Sequence, residues 1–284
     1  MFRLSFNTNG LLNLSLERAI EEVSKAGYEG IEISLDSAHL HPYEVTKERL
    51  RELKELMARL EIEPVSLATG GLFLITEVPQ EPSLISADPA ERQKRIDFIC
   101  ASLEIANYLS MPVLNFTSGI LYRDFEHDNV SSEEARQMLV EGVRTCLKSA
   151  GDVILVLEPE ATLHSHFIET TSEAIPIIEE IDSPQFRLTI DIAHVKSFES
   201  DLLRCTAEAL PYARHIQIAD TKGRVHHHDI PGEGDIDYHA LFEVLKAGGY
   251  EHYLSLELYW HPYDWERALV QSRRHLLEHM KAVE

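Results

Sequence analysis

Four polar side chains stand at or near the ends of apolar runs in the second half of the chain. Glu158, Asp191 and Glu257 each follow mostly apolar residues, and Gln217 interrupts a fourth such run. Burying one carboxylate alone in such a place is costly, so three that converge there require a cation. Three carboxylates and an amide oxygen form a hard, oxygen-only ligand set, which suits Mn²⁺ or Mg²⁺ and leaves Co²⁺ and Zn²⁺ as alternatives. We therefore predict a divalent metal site with four ligands: Glu158, Asp191, Gln217 and Glu257.

The elements that would bring these residues together alternate regularly along the chain. Runs rich in β-branched residues predict eight strands, at Arg3–Phe6, Gly30–Leu35, Pro64–Thr69, Pro112–Phe116, Val153–Glu158, Phe186–Asp191, His215–Asp220 and Tyr253–Leu258. Amphipathic patterns predict eight helices, at Leu16–Ala26, Thr46–Leu60, Pro89–Leu109, Ser131–Ser149, Thr171–Ile181, Phe198–Leu210, Tyr238–Ala247 and Trp265–Val283.

Eight strand–helix units predict an α/β fold, a (β/α)₈ TIM barrel whose strand carboxyl ends face the active site. No glycine-rich phosphate loop occurs, which argues against an open doubly wound sheet that binds a nucleotide. No linker rich in Gly, Pro or Ser divides the chain. We therefore expect a single domain over residues 1–284.

The composition limits the classes of partner. The 284 residues are 44% hydrophobic and 26% charged, which suits one folded barrel. With 48 acidic and 26 basic residues the net charge is −22, which opposes binding to nucleic acid. There is no apolar run of about 18 residues, no signal-peptide pattern, and only three scattered cysteines, so we expect no membrane partner and a cytoplasmic location. A small-molecule carbohydrate or keto acid is the expected substrate, and a homo-oligomer is compatible with the sequence.

Five segments carry a resemblance to a known family: LeuGluPro at 157–159, AspIleAlaHis at 191–194, HisIleGlnIleAlaAsp at 215–220, ProGlyGluGlyAspIleAspTyr at 231–238 and LeuSerLeuGluLeu at 254–258. With them, nearly the whole chain resembles the sugar isomerase and epimerase group that shares a xylose-isomerase-like barrel. The group includes tagatose epimerases, hydroxypyruvate isomerases and 3-dehydroshikimate dehydratases. The resemblance implies that Glu158, Asp191 and Glu257 bind the metal and that His194 contacts the substrate.

Gln217 indicates which branch of the group this chain resembles most. Many epimerases of the group have His at this position, whereas the hydroxypyruvate isomerase branch has Gln in a pattern like residues 216–224 here. That branch is the closest in motif pattern, although dehydroshikimate dehydratases also use Gln at this ligand. The resemblance further suggests Arg224 as an anchor for a substrate anion or hydroxyl, with an ordinary surface arginine as the alternative. Asn7, at the end of the first strand, and His164, in the loop after the fifth, are further candidates for substrate binding.

Three consecutive histidines occupy positions 226–228. Consecutive residues rarely all face one ion, so a dedicated metal site is the less favoured interpretation. We interpret the segment as a loop at the pocket rim, with one of its histidines facing the substrate.

These residues together predict proton transfer next to a carbonyl in a small ketose or hydroxy-keto acid. The ion would stabilise an enediolate while Glu158 and Glu257 abstract and return the proton, which isomerises or epimerises the substrate. The alternative is a metal-dependent lyase on the same site, a 3-dehydroshikimate-type dehydratase or a keto-acid decarboxylase. A DNA-repair endonuclease would need a multi-zinc cluster and a basic groove, and a catalytically silent binding protein would lack the acids. Both are therefore disfavoured.

Overall fold

The computed structural model describes residues 2–36, 38–69, 75–76, 78, 80–121, 130–160 and 167–283. Eight parallel strands close into a barrel in which each strand pairs with its neighbours in chain order. The strands are β1 Arg3–Asn7, β2 Gly30–Ser34, β3 Glu63–Ala68, β4 Val113–Thr117, β5 Ile154–Glu158, β6 Phe186–Asp191, β7 Ala213–Ile218 and β8 Tyr253–Leu256. The predicted single-domain (β/α)₈ TIM barrel is confirmed.

The α-helices of the described ranges are α1 Leu16–Lys25, α2 Lys47–Arg59, α3 Pro89–Leu109, α4 Ser132–Leu147, α5 Thr171–Ile181, α6 Ile192–Phe198, α7 Leu202–Ala209, α8 Tyr238–Ala247 and α9 Trp265–Ala282. Local sequence fixes several of these ends. Ser131 and Glu134 form a capping box at the start of α4. Gly27 and Gly249 adopt positive φ angles of 89° and 70° just past α1 and α8, a conformation that glycine adopts without strain. None of the helices in these ranges is long and apolar enough to cross a membrane.

One predicted helix, Phe198–Leu210, is wrong, because this part of the chain forms two helices. The first, α6, begins directly after β6, since the Asp191 side chain accepts a hydrogen bond from the His194 N–H at 2.8 Å. Glu199 is extended and ends it, and Asp201 caps α7 by accepting from the Arg204 N–H at 2.9 Å. Two capping aspartates therefore divide the segment, and the first of them is a predicted metal ligand.

The interior of the barrel is polar. Thr189 on β6 donates to the Asn115 side chain on β4 at 2.9 Å, and His215 on β7 lies 3.0 Å from Glu32 on β2. Neither pair of strands is adjacent in the barrel, so these side chains meet inside it. Alternate residues such as Ile190 are apolar and buried in the core, which lies between the strands and the surrounding helices.

A register shift between β6 and β7 places two of the predicted ligands opposite each other. Leu188 pairs with Ala213, but Thr189 pairs with His215, so β7 contributes one extra residue. Asp191 therefore pairs with Gln217. With the regular register it would face Ile216, whose side chain points to the other face of the sheet.

Candidate metal centre and active site

The four predicted metal ligands lie on four successive strands at the mouth of the barrel. Glu158 and Asp191 end β5 and β6, Gln217 lies near the end of β7, and Glu257 directly follows β8. Glu158, Asp191 and Gln217 are buried, and the Glu257 side chain is only 12% exposed. Asp191 has carboxylate oxygens within 4.8 Å of ligand atoms from both Glu158 and Glu257, with His194 and His228 as the third member of the two groups. The geometry thus brings these acids together.

The donor set fits a divalent cation. Asp191 Oδ2 and Gln217 Oε1 are buried oxygens with no N–H or O–H partner among the described residues. Burial and the neighbouring charges of Asp191 and Glu160 raise the pKa of Glu158 well above its usual value. Burial and the charges of Glu158 and Asp191 raise the pKa of Glu257 in the same way. A cation would satisfy both oxygens and offset the repulsion that raises these pKa values.

Asp191 behaves differently from the two glutamates. Burial acts to raise its pKa, but the nearby rings of His194 and His228 and the His194 backbone N–H outweigh that effect. The pKa of Asp191 is therefore lowered. Asp191 is the acid of the group that stays ionised most readily, which suits a metal ligand.

Amide side chains fix the orientation of the two glutamates. Asn115 donates to Glu158 Oε2 and is itself held by Thr189. Glu257 Oε1 accepts from the side-chain amides of Asn7 at 3.3 Å and Asn9 at 2.8 Å. Neither Asn9 nor Thr189 was recognised from the sequence. The alternation of Thr189 with Asp191 on one strand was the available signal, because residues two apart face the same side.

Gln217 is held by a buried carboxyl on the far side of the barrel. Its Nε2 donates to Glu32 Oε1 at 3.3 Å, while His215 Nε2 lies 3.0 Å from Glu32 Oε2. All three side chains are within 2% of full burial. Because the amide nitrogen faces Glu32, the opposite amide atom, Oε1, is turned away from Glu32. Both Glu32 and His215 lie inside predicted strands, Gly30–Leu35 and His215–Asp220, but neither was assigned a role from the sequence.

The histidine segment contributes two side chains to the site, where we expected one. The imidazole nitrogens of His194, His226 and His228 all lie within 4.8 Å of one another. His228 is fully buried, and that burial lowers its pKa. His227 points elsewhere, stacked on Trp260 with ring centroids 5.8 Å apart and bonded to Asp229 at 2.6 Å. The backbone of 226–228 lies outside any helix or strand, and the rings alternate: His226 and His228 face the site, whereas His227 faces Trp260.

The predicted substrate contacts have different surroundings. Asn7 is buried, and its amide is engaged with Glu257 and with the Asn9 N–H. Arg224 is exposed and donates to the Glu199 carbonyl at 2.8 Å. His164 lies outside the described residues. Substrate binding by His194, Asn7, Arg224 and His164 stays a prediction.

Known proteins share this architecture and sequence pattern. A hydroxypyruvate isomerase from Escherichia coli K12 is 24% identical over 264 residues, covering 90% of this chain and 93% of that protein. A 2-oxo-tetronate isomerase from Haemophilus influenzae is 25% identical over 242 residues, covering 84% and 85%. The apo crystal structure of a 3-keto-D-glucoside 4-epimerase from E. coli superimposes with a TM-score of 0.81 at 19% identity, covering 98% of this chain and 100% of that one.

The family model described as the xylose isomerase-like TIM barrel matches residues 20–279. That span includes the four predicted ligands and the three clustered histidines. The chain therefore belongs to the xylose isomerase-like TIM barrel family.

Proposed function

We propose that this enzyme is a divalent-metal-dependent isomerase or epimerase that moves a proton next to the carbonyl of a small ketose or hydroxy-keto acid. The observation that carries the proposal is that buried Asp191 lies close to both Glu158 and Glu257 while its Oδ2 has no donor among the described residues. Three neighbouring buried carboxyls destabilise the fold unless a cation binds them. Such a costly group therefore indicates a functional site. The two isomerase relatives support the keto-acid class, because hydroxypyruvate and 2-oxo-tetronate are both keto acids.

The two glutamates are suited to transfer the proton. One of Glu158 and Glu257 would remove the proton from the carbon beside the carbonyl, and the electrons of the C–H bond would form the enediolate. The other would deliver a proton to the neighbouring carbon or to the opposite face of the same carbon. The proton balance closes without oxidation. A bound cation would offset the repulsion between the carboxyls, but their burial would remain, and burial favours the protonated form that the group returning the proton needs.

The remaining side chains would bind the cation and orient the two glutamates. Glu158, Asp191, Gln217 and Glu257 would bind the cation. When bound, that cation would supply Lewis-acid stabilisation of the negative charge that develops on the substrate oxygens. Asn115 keeps Glu158 in place, and Asn7 with Asn9 does the same for Glu257, so both carboxyls are preorganised before substrate arrives.

Incubation of the Mn²⁺-loaded protein in deuterated water, followed by NMR, tests the proposal. The panel contains hydroxypyruvate, other small hydroxy-keto acids, ketoses and dehydroshikimate. We expect an isomer or epimer that carries carbon-bound deuterium beside the former carbonyl, and no product after dialysis against EDTA. Loss of water or carbon dioxide would replace the isomerase with the lyase alternative. Turnover without deuterium incorporation, or turnover that EDTA leaves unchanged, would refute the proposal.

A further inference from the structure

Three imidazoles from two separate segments meet beside the carboxylate site. His194 comes from α6, and His226 and His228 come from the loop after β7. His226 Nε2 lies 3.1 Å from His194 Nε2 and 3.3 Å from His228 Nε2. His194 and His228 are buried, and His226 is half-buried. Ring nitrogens of His194 and His228 thus both lie close to His226 Nε2, and nitrogens of all three rings lie within 4.8 Å of one another.

Two of the nitrogen–nitrogen distances are close to those between ligands of a tetrahedral ion, and the third pair lies within 4.8 Å. Zinc binds imidazole nitrogen at about 2.0–2.1 Å, which places tetrahedral ligand atoms about 3.3–3.4 Å apart. The two closest nitrogen pairs here, at 3.1 and 3.3 Å, need shifts of only a few tenths of an ångström to reach that geometry. The carboxylate ligands of the neighbouring site are a different, oxygen-only set.

Proton bookkeeping within the cluster also favours a cation. His228 Nδ1 lies 2.8 Å from the Glu257 main-chain oxygen, which can only accept, so Nδ1 carries the ring proton of a neutral imidazole. The lone pair of His228 Nε2 then faces His226. A single proton on His226 Nε2 cannot be directed at both His194 and His228 with good geometry. An ion between the three nitrogens would accept all three lone pairs. Metal-bound histidines usually donate their other ring N–H to an acceptor, as His228 Nδ1 does to the Glu257 carbonyl.

We propose that His194, His226 and His228 form a second metal site, which prefers Zn²⁺ to Mn²⁺, next to the carboxylate site. Three neutral imidazoles suit zinc, whereas oxygen-only ligands suit Mn²⁺ or Mg²⁺. Three protein ligands leave a fourth tetrahedral position for water or a substrate oxygen. The two sites adjoin, because His194 groups with Glu158 and Asp191, and His228 groups with Asp191 and Glu257. His194 would then reach the substrate through this ion instead of directly.

The loop supplies its own matched control. His227 lies between two of the proposed ligands but is bonded to Asp229 and stacked on Trp260. His226→Ala removes one proposed ligand from a half-buried loop position, where the fold is expected to tolerate the change. His227→Ala also removes an imidazole ring, one residue further along the same loop. Any difference in zinc binding between these variants is therefore due to position and not to composition.

The experiment measures metal content and needs no substrate. Tag-free protein is stripped with EDTA, equilibrated with Mn²⁺ and Zn²⁺ together, desalted and analysed by mass spectrometry of the elements. We expect wild type and His227→Ala to retain one zinc per chain in addition to the ion of the carboxylate site. His226→Ala should lower zinc affinity by more than about 100-fold, since losing only the outer partner of a ligand already costs about 10–100-fold. Glu257→Gln should lose manganese and keep zinc.

A spectroscopic measurement checks the geometry of the same site. Co²⁺ added to the Mn²⁺-loaded protein should give the strong visible bands of tetrahedral cobalt in wild type and His227→Ala, and not in His226→Ala. Retention of only one ion per chain in wild type would overturn the proposal, as would equal zinc content in His226→Ala and His227→Ala. Because neither readout depends on turnover, failure here leaves the proposed isomerase untouched, and failure to find a reaction leaves the zinc site untouched.

Discussion

Replacing Glu32 by Gln should weaken metal binding at a carboxylate site that Glu32 itself does not form. Glu32 accepts from Gln217 and lies against His215, and both contacts are fully buried. The new amide offers one oxygen and one NH₂ group to those neighbours. If the oxygen of the new amide accepts from His215 Nε2, its NH₂ group faces the NH₂ group of Gln217. The Gln217 amide must then rotate so that Oε1 accepts from the new NH₂ group. That rotation turns the Gln217 NH₂ group toward the site, where the metal needs an oxygen.

The expected magnitude is that of losing the outer partner of a ligand. Such changes cost about 10–100-fold in metal affinity, or about 1.4–2.7 kcal/mol. The assay is a calorimetric Mn²⁺ titration of the stripped protein, with the melting temperature recorded alongside. Glu29→Gln is the matched control, because Glu29 precedes the same strand at its other end and is exposed. It removes the same charge and should leave the Mn²⁺ affinity within about twofold, since exposed distant charges are screened.

A double-mutant cycle separates orientation from charge. Gln217→Ala alone removes the proposed ligand. If Glu32 acts by orienting that ligand, adding Glu32→Gln to Gln217→Ala should cost less than about 0.5 kcal/mol more. Equal costs in both backgrounds would refute the orienting role and leave Glu32 as a distant charge only.

Three further predictions follow from the site and the fold. Glu158→Gln and Glu257→Gln should each lower turnover by about 10²–10⁴-fold at saturating substrate and metal, the range expected for a general acid–base group, with circular dichroism to verify folding. In the metal-free protein, the folded state keeps protons on Glu158 and Glu257 that the unfolded chain releases. Its free energy of unfolding should therefore fall as pH rises from the ordinary glutamate value of 4.5 toward the raised pKa values, and Mn²⁺ should flatten this slope in urea titrations. Asp201→Ala should lower the free energy of unfolding by about 1 kcal/mol by removing the cap of α7, while Asp201→Asn should retain most of it.

The barrel and its carboxylate ligands could be predicted because both depend on local pattern. A strand that ends in a carboxylate is visible in the sequence, and parallel strands must bring those ends to one face. Gln217 was harder, since its position opposite Asp191 depends on one extra residue in β7. Its place in the ligand set was predicted from its position in the apolar run of the seventh strand, and the family pattern only indicated the branch.

The histidine cluster could not be predicted in the same way. His194 is separated from His226 by the whole of α7 and β7, and their approach depends on α6 starting at Asp191. The expected single helix at Phe198–Leu210 hid that start. A DNA-repair endonuclease would need several clustered histidines to bind zinc, but the net charge of −22 still argues against a nucleic-acid partner.

Anomalous diffraction from crystals soaked in Mn²⁺ would locate the metal ion that the proposed function requires. We expect a manganese peak at the mouth of the barrel, within coordination distance of Glu158, Asp191, Gln217 and Glu257. A Glu257→Gln crystal soaked in the same way should lose most of that peak. A map with no peak among these four side chains, or with manganese bound only by the histidines, would refute the proposed carboxylate metal site.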